Sequence, residues 1–337
     1  MGATPRIAFE REHLVAELLD PRRDFERTRV PVETRRDPLT GQSCRILPAG
    51  SFPPPARHDL DELAARTHES CPFCGSRVEA VTPRFPPEVW PEGRIRRGEA
   101  VLFPNLVPYA KWSAVSIYSP ERHLLPLDAL TPELLTDNLA TQVAFARAVV
   151  AHDPAASWVS VNANHLPPSG SSIFHPHLQG SAHPGPTTMQ RLLAGVPAAN
   201  VRAYVEAERE QGERFVAARG SVDWLAAFAP IGPAELRAYV VGASSPEELD
   251  ERSVAELARG ISAALGVYAE LGFESFNLAL YGMPAGGVLS LRIVARAYYG
   301  PAERSDAMWS ERLHWEAATD IAPERVAELA RAAFRTA

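Results

Sequence analysis

The chain has few cysteines, no block of like charge and no long apolar run. Three cysteines in 337 residues are too few for a disulfide framework, and they fit metal binding in a reducing compartment better. No apolar run reaches the roughly 18 residues of a membrane span, and the N-terminus lacks the apolar core of a signal peptide. The net charge is −7 and the basic residues are scattered, so neither nucleic acid nor a membrane is an expected partner. We expect a cytoplasmic protein.

The composition is that of an ordinary globular protein. Of the 337 residues, 46% are hydrophobic and 22% are charged, which suffices for one large core or two modest ones. Proline is frequent, with 31 residues, and it clusters at positions 53–55 and 83–91. These clusters predict rigid, extended connections between elements.

The segment 162–179 carries the strongest chemical signal. It reads Asn-Ala-Asn-His-Leu-Pro-Pro-Ser-Gly-Ser-Ser-Ile-Phe-His-Pro-His-Leu-Gln. In an extended chain side chains alternate between faces, so His175, His177 and Gln179 project to one side and Phe174 and Leu178 to the other. A neutral imidazole is a good nucleophile toward phosphorus when an oxygen holds its second nitrogen as a donor. The pattern favours attack on a phosphate; the alternative is a loop with exposed or structural histidines.

The Ser/Gly-rich loop before the histidines favours the same chemistry. Gly170, Ser171 and Ser172 can bring backbone N–H and hydroxyl donors to phosphoryl oxygens. We therefore treat this loop as a candidate phosphate-binding element.

Periodicity and turn residues predict the order of elements in the first half. Residues 9–19 predict a short amphipathic helix, which leads into a turn at 36–42 that reads Arg-Asp-Pro-Leu-Thr-Gly-Gln. Residues 101–103 and 113–118 predict strands, and Thr131 caps a helix that continues to about residue 150. A strand at 158–161 then enters the histidine segment. This order predicts a half-barrel unit built on an antiparallel sheet.

The second half repeats this plan. It has a predicted strand at 236–241, a helical region at 246–271, and strands at 276–281 and 288–295. Where the first copy carries its histidines, the second carries Arg292 and Arg296, which share a strand face by period two. We consider both arginines for phosphate binding; the alternative is that they are surface residues of an outer strand.

Together these motifs resemble the active-site segment of the galactose-1-phosphate uridylyltransferase family, within the histidine-triad superfamily. The matching residues are Asn164, Gly170, Ser172, His175, Pro176, His177 and Gln179. The Asp-Pro-Leu-Thr-Gly turn at 37–41 is a second match. The resemblance implies an α+β fold of tandem histidine-triad-like units, with an antiparallel half-barrel sheet and flanking helices. It places an N-terminal unit, with the Cys-x-x-Cys and His-Pro-His motifs, at 1–180 and a degenerate C-terminal unit at 181–337.

The resemblance implies nucleotidyl transfer through a covalent intermediate on His177. The imidazole would attack the α-phosphorus of a nucleoside diphosphate sugar and expel sugar 1-phosphate, and the nucleotide would then pass to a sugar phosphate or to phosphate. Gln179 would steady the phosphoryl oxygens, and Ser172 and His175 complete the candidate catalytic group. The alternatives are a dinucleoside polyphosphate phosphorylase or hydrolase, and a nucleotide-binding protein that has lost turnover.

The resemblance also implies a substrate site for a nucleotide or nucleotide sugar and a sugar phosphate. Phe103 and Asn105 would border the nucleoside pocket. The remaining candidate substrate-binding residues are Asn164, Gly170, Ser171, Arg292 and Arg296.

Cys71 and Cys74, separated by two residues, supply half of a tetrahedral zinc site. The resemblance adds His175 and a histidine that follows a Ser-Pro-acidic sequence. Residues 119–123 read Ser-Pro-Glu-Arg-His, so His123 comes one residue late and needs a one-residue bulge to reach the ion. Zinc would brace the motif strand and would not act as the catalytic Lewis acid. The alternatives are a packed, metal-free cysteine pair and His68 as a further ligand.

Several residues depart from the family pattern or match nothing in it. Arg45 stands alone where the family carries more arginines, and Leu106 replaces an aspartate beside the nucleoside pocket, so the base is not restricted to uracil. The second half lacks the family's glutamine for sugar phosphate. We expect His165 and His183 at the pocket rim or in solvent and Cys44 as a buried apolar residue. Edge strands around a half-barrel unit favour a homodimer.

Overall fold

The structure, a computed structural model, describes residues 5–284, 286–299, 304–305 and 307–336. The helices in these ranges are α1 Leu60–His68, α2 Arg77–Val81, α3 Pro132–His152, α4 Thr188–Ala194, α5 Ala198–Gln211, α6 Glu251–Glu270, α7 Trp309–His314 and α8 Pro323–Thr336. The strands are β1 Glu10–Asp20, β2 Glu26–Arg36, β3 Ser43–Ile46, β4 Ile95–Arg97, β5 Ala100–Pro104, β6 Trp112–Ile117, β7 Trp158–His165, β8 His177–His183, β9 Phe215–Arg219, β10 Val222–Ala226, β11 Leu236–Val240, β12 Ser275–Tyr281, β13 Ser290–Arg296, β14 Tyr298–Tyr299, β15 Arg304–Ser305 and β16 Ala317–Thr319.

Ten strands form one antiparallel sheet in the order β4-β5-β6-β8-β7-β12-β13-β11-β10-β9. The order is symmetric about the central pair, because β4 to β8 correspond in sequence order to β9 to β13. A long helix, α3 in one half and α6 in the other, follows the third strand of each set. This arrangement confirms the predicted α+β fold of tandem histidine-triad-like units. The division of the chain at residue 180, which lies within β8, stays a prediction.

One face of the central strands packs against the two long helices. Leu178 on β8 lies in the same buried cluster as Leu139 and Val143 of α3. The approach is closest at Gly180, where an added Cβ would lie 2.3 Å from the side-chain oxygen of Gln142. Alternation along each strand therefore sends every second side chain to the opposite face, away from the helices.

Local capping sets where the two long helices begin. The Thr131 side chain accepts a hydrogen bond from the N–H of Leu134, and α3 starts with proline, as predicted. The predicted helical region at 246–271 starts too early, because Asp250 caps α6 and residues 246–248 form a separate 3-10 turn. Within the described residues, no helix is both long and apolar enough to span a bilayer.

The prediction of a helix at residues 9–19 was wrong. The segment forms β1, which pairs with β2 over its whole length, with Leu14 opposite Val32 and Ala16 opposite Val30. β2 is rich in β-branched residues, so backbone pairing between the two strands overrides the local helical periodicity. Each strand of this hairpin has eleven residues, so the hairpin forms an arm about 36 Å long. Its large exposed apolar side chains are Leu14, Val15, Leu18, Leu19 and Phe25. The homodimer expected from edge strands stays a prediction.

A smaller sheet, in the order β1-β2-β3-β16, carries the predicted turn at 37–41 against the second unit. One carboxylate oxygen of Asp37 accepts hydrogen bonds from the N–H groups of Leu39 and Thr40, at 2.9 and 2.8 Å. Gly41 has φ +74°, a left-handed conformation that favours glycine. The turn at 37–41 is therefore confirmed and held by its own aspartate.

A buried ion triad fixes this turn to β11. Arg237, on β11, pairs with Asp37, and its Nε donates to a carboxylate oxygen of Glu235 at 2.7 Å. The Asp37 and Glu235 side chains are fully buried. Burial alone would raise the pKa of Asp37, but the charges of Arg237 and Arg292, together with the hydrogen bonds from Arg237 and Thr40, outweigh it and the pKa falls to about 2. The turn and the second unit are thus joined by buried charges that compensate one another.

Arg237→Met is expected to destabilise the protein by about 3–5 kcal/mol, because it leaves Asp37 buried without its ion-pair partner and Glu235 with only Arg292, 3.8 Å away. Urea unfolding gives the free energy directly. Arg209→Met is the matched control, since Arg209 is half-exposed and pairs with Asp223 near the surface; its cost should stay below about 1 kcal/mol. Equal losses in the two variants would contradict the importance of the triad.

Candidate active site

The face of the sheet that points away from the helices carries the polar side chains of the histidine segment. Neighbouring strands place Asn162 on β7 opposite Gln179 on β8, and Val115 on β6 on the other side of Gln179. His177 and Gln179 share this face by period two, as predicted, while Leu178 points to the helices. His175 lies two residues before β8 and belongs to a different cluster, described below.

The backbone fixes the tautomer of His177. Its Nδ1 lies 2.8 Å from the carbonyl oxygen of His175, and a carbonyl can only accept, so Nδ1 carries the proton. The ring is 8% exposed, and burial lowers its pKa, which favours the neutral form. The lone pair therefore resides on Nε2, as the nucleophile hypothesis requires.

An apolar cleft of about 290 Å³ opens on one side of His177. Phe103 is buried at its base, and Asn105 accepts a hydrogen bond from the N–H of Val107 that shapes the turn above it. Leu106, Val107 and Tyr109 line the same cleft although they are 77%, 66% and 74% exposed. This cleft offers flat apolar contact of the kind a nucleobase needs.

A polar cleft of about 360 Å³ opens on the other side. Its lining residues are Tyr109, Ser113, Asn162, Asn164, Gly170, Ser171, Ser172, His177, Gln179 and Ser181. Tyr109, Ser172, His177 and Gln179 line both clefts, so the two cavities meet at the imidazole. A ligand with an apolar end and a phosphorylated end could occupy both at once.

The loop between β7 and β8 is held in shape by its own groups. Leu166 has φ 64°, a rare conformation for leucine, and Gly170 has φ +92°. The N–H of Gly170 donates to the Pro167 carbonyl at 2.9 Å, and the Ser171 hydroxyl donates to the Ile173 carbonyl at 2.6 Å. These donors close the loop on itself, and Ser172 presents its side chain to both clefts. The roles predicted for Gly170 and Ser171 at phosphate stay predictions.

Cys71, Cys74, His123 and His175 form a buried cluster whose donor atoms all lie within 4.8 Å of one another. The Cys74 sulfur is 3.2 Å from Nδ1 of His123 and 3.4 Å from Nδ1 of His175. Zinc with ordinary bond lengths to sulfur and nitrogen in a tetrahedron places such atoms about 3.6 Å apart. The residues therefore fit a tetrahedral metal ion.

The outer nitrogens of the two histidines support this fit. Nε2 of His175 lies 2.9 Å from the Ser119 carbonyl oxygen, and Nε2 of His123 lies 2.8 Å from the Thr67 hydroxyl. Such partners turn each Nδ1 lone pair toward the cluster. His175 contributes its ring to the cluster and its carbonyl to His177, so the cluster supports the candidate nucleophile directly.

The local turn explains why His123 joins the cluster one residue later than the resemblance expects. The Ser119 hydroxyl accepts from the N–H of Glu121, and the chain turns there. Arg122 points outward and pairs with Glu99 at 3.1 Å. The structure thus brings His123 into the cluster, while the one-residue bulge stays a prediction, and His68 contacts the His123 ring without joining the four.

The two candidate arginines, Arg292 and Arg296, both lie on β13. Arg292 is 4% exposed; it donates to Gln42 at 3.2 Å and lies 3.8 Å from a carboxylate oxygen of Glu235, so it is not a surface residue. Arg296 pairs with Asn277. Neither arginine is among the residues that line the two clefts. Their binding of phosphate stays a prediction.

The expectation that His165 lies at the rim was wrong. It is 2% exposed because it lies on the helix-packed face of β7, with Val161 and Ala163, and its ring stacks on Phe276 of β12 with centroids 4.9 Å apart. His183 is half-buried, and Cys44 is fully buried as expected. Arg45 is half-exposed and pairs with Glu316 at 2.8 Å.

Comparison with known proteins places the chain in a structural class. An ADP-glucose phosphorylase from Arabidopsis thaliana with bound ADP-glucose matches with a TM-score of 0.64 at 17% identity, covering 89% of this chain and 98% of that one. A GalT-like protein from the same plant matches with a TM-score of 0.61 at 18% identity, covering 88% and 98%. A uridylyltransferase matches with a TM-score of 0.58 at 19% identity, covering 90% and 98%. The chain has the fold of these GalT-like proteins, as its motifs predicted.

The sequence places it more narrowly. It belongs to the same family as an uncharacterized protein of Archaeoglobus fulgidus, which is 30% identical over 319 residues, 88% of this chain and 91% of the relative. No protein-family model matches the chain.

The structure adds cleft residues that sequence reasoning did not single out. Asn162 precedes Asn164 by two positions on β7, so strand alternation alone could have placed it in the site. Ser181 follows Gln179 by two positions on β8 in the same way. Tyr109 and Ser113 carried no such signal, because their place depends on how β6 pairs with β8.

Proposed function

We propose that the chain is a nucleotidyltransferase or nucleotide-sugar phosphorylase. It moves a nucleoside monophosphate from a nucleoside diphosphate sugar to a sugar phosphate or to phosphate, through a covalent nucleotidyl-His177 intermediate. The observation that carries this proposal is the junction of an apolar and a polar cleft at a buried imidazole with a fixed tautomer. The apolar cleft suits the nucleoside and the polar cleft suits the phosphates and the sugar.

Two displacements at phosphorus account for the reaction. In the first, Nε2 of His177 forms a bond to the α-phosphorus while the bond to the bridging oxygen breaks, and sugar 1-phosphate leaves with the electron pair. In the second, an oxygen of the acceptor phosphate attacks, the P–N bond breaks, and the neutral imidazole returns. The proton on Nδ1 stays in place, and the His175 carbonyl stabilises the positive charge on the ring. Gln179 and Ser172 supply hydrogen bonds to the phosphoryl oxygens.

The solved structures with this fold support the substrate class. One is named an ADP-glucose phosphorylase and holds ADP-glucose, and another is named a uridylyltransferase. At 17% and 19% identity the shared property is the fold, so their chemistry enters here as support for the proposal. Adenine and uracil nucleotides are both candidates, since Leu106 places an apolar side chain where the family pattern has an aspartate.

We propose further that the metal in the cluster is zinc and that its role is structural. Two thiolates and two imidazoles are a preferred donor set for zinc, and four protein ligands leave no open position for a substrate. When bound, the ion holds Cys71 and Cys74 to His123 and to His175, and thereby to the strand that carries His177.

A donor and acceptor screen tests the proposed function. The protein is incubated with a donor, either ADP-glucose or UDP-glucose labelled at the α-phosphate. Each donor is tested with phosphate as acceptor, with glucose 1-phosphate as acceptor, and with no acceptor. We expect an acid-labile label on the protein and products that depend on the acceptor: nucleoside diphosphate with phosphate, exchange with the sugar phosphate. A dinucleoside polyphosphate is tested as a further donor, because its use in place of the nucleotide sugars would indicate the alternative, a dinucleoside polyphosphate phosphorylase or hydrolase. Nucleotide binding by calorimetry with no label and no product would overturn the enzyme assignment in favour of a binding protein.

A further inference from the structure

Two asparagines face each other across the seam between the units. β7 and β12 pair antiparallel with Asn164 directly opposite Asn277, and both side chains lie on the cleft face of the sheet. Nδ2 of Asn277 lies 2.7 Å from Oδ1 of Asn164. Asn164 lines the polar cleft beside His177, so the second unit touches the site through this contact.

Arg296 determines which way both amides point. The arginine has only donors, so the Asn277 atom that it contacts must be the oxygen. Nδ2 of Asn277 is then the donor to Asn164, and Oδ1 of Asn164 is occupied. The Asn164 NH₂ group is consequently turned away from the seam, and the cleft receives a donor from this residue in place of an acceptor.

The same amide also anchors the loop that precedes the histidines. Nδ2 of Asn277 lies 3.1 Å from the carbonyl oxygen of Ser169 and 3.2 Å from that of Ala163. Ser169 leads directly into Gly170, so Asn277 holds the loop's start as well as the orientation of Asn164. One side chain of the second unit thus sets two parts of the polar cleft.

We propose that Asn277, oriented by Arg296, is a positioning residue for the phosphate end of the substrate. This inference rests on the proposed function. The second unit lacks the His-Pro-His sequence. Its Asn277 nevertheless makes Asn164 a hydrogen-bond donor, which Asn164 then offers to a phosphoryl or hydroxyl oxygen in the cleft. Asn277 acts through Asn164 and through the loop, and it does not itself line either cleft.

Asn277→Asp tests the inference with almost no change in shape. The carboxylate can only accept, so Asn164 must turn its NH₂ group to the seam and present its oxygen to the cleft. We expect the dissociation constants of ADP-glucose and UDP-glucose, measured by calorimetry, to rise about tenfold or more for whichever binds the wild type. Asn200→Asp, the same replacement on α5, is the matched control and should bind as the wild type does.

A double-mutant cycle shows whether Asn277 acts through Asn164. Asn164→Ala should weaken binding to a similar degree. Asn277→Asp added to Asn164→Ala should cost less than about threefold more, because, of the contacts that shape the cleft, only that of Asn277 with the loop at Ser169 then remains to be lost. Arg296→Gln is a second variant. Because the glutamine amide can donate or accept, it fixes Asn277 less strictly, and we expect a smaller loss of affinity that also vanishes in the Asn164→Ala background. Thermal unfolding identifies variants that fail to fold. If Asn277→Asp fails to fold, Arg296→Gln serves as the deciding variant.

The outcomes separate this inference from the proposed function. Wild-type affinity in Asn277→Asp, or losses that multiply fully in the double variant, would overturn the positioning role. If the wild type binds the nucleotide sugar but acquires no covalent label, the proposed function is contradicted. The dissociation constants of the variants still decide the role of Asn277 in that case. If the wild type binds neither nucleotide sugar, both proposals fail.

Discussion

His177→Ala is expected to abolish the covalent label and to lower the rate of nucleotidyl transfer by roughly 10³-fold or more. The physical reason is that no other group in the two clefts combines a nucleophilic lone pair with a tautomer fixed by the backbone. The measurements are acid-labile label per protein chain and single-turnover rate with α-labelled ADP-glucose or UDP-glucose.

His183→Ala is the matched control for this experiment. His183 lies on the same strand, six positions later, and does not line the clefts. We expect its label and its rate to match the wild type, and we expect both variants to keep nearly the wild-type unfolding midpoint. An undiminished label in His177→Ala would show that the nucleophile is another residue.

Removal of the metal is expected to cost stability and activity together. Cys74→Ala should eliminate about one equivalent of zinc per chain and lower the free energy of unfolding by more than about 3 kcal/mol, since ion binding contributes to folding. Activity should fall as well, because the proposed metal would hold the ring of His175, whose carbonyl accepts from His177. Metal analysis, urea unfolding and the labelling assay measure the three effects.

Cys44→Ala separates the cluster from cysteine loss in general. Cys44 is also fully buried, but it lies apart from the four ligands and packs beside Phe228. It should retain the full zinc content and the full label. Retention of zinc in Cys74→Ala, or a stable and active protein after complete chelation, would contradict the structural role of the metal.

Much of the candidate site was predictable because its signals are local. The alternation of polar and apolar residues along β7 and β8 assigns His177 and Gln179 to one face and Leu178 to the other, and a strand allows no other arrangement. The capping threonine and the proline before α3 are likewise read from adjacent residues. The spacing of Cys71 and Cys74 predicted half of the metal cluster in the same way.

The errors arose where long-range pairing outweighed local preference. Residues 9–19 have a helical period, yet β2 offers eleven backbone partners and the segment becomes a strand. His165 looks like a loop residue next to a proline pair, yet it lies on the helix-packed face of β7. Arg292 could equally have been a surface residue until the structure placed it beside Gln42 and Glu235.

The sequence by itself determined the candidate nucleophile, the cysteine pair and the tandem plan, because these follow from strand period, motif spacing and repetition along the chain. Only the tertiary structure decided that His123 completes the cluster and that two clefts meet at His177. It also decided that Asn277, 113 residues away from Asn164, sets the polarity of its amide. These relations depend on which strands become neighbours and on the direction of single hydrogen bonds, and neither property is encoded within a local stretch of residues.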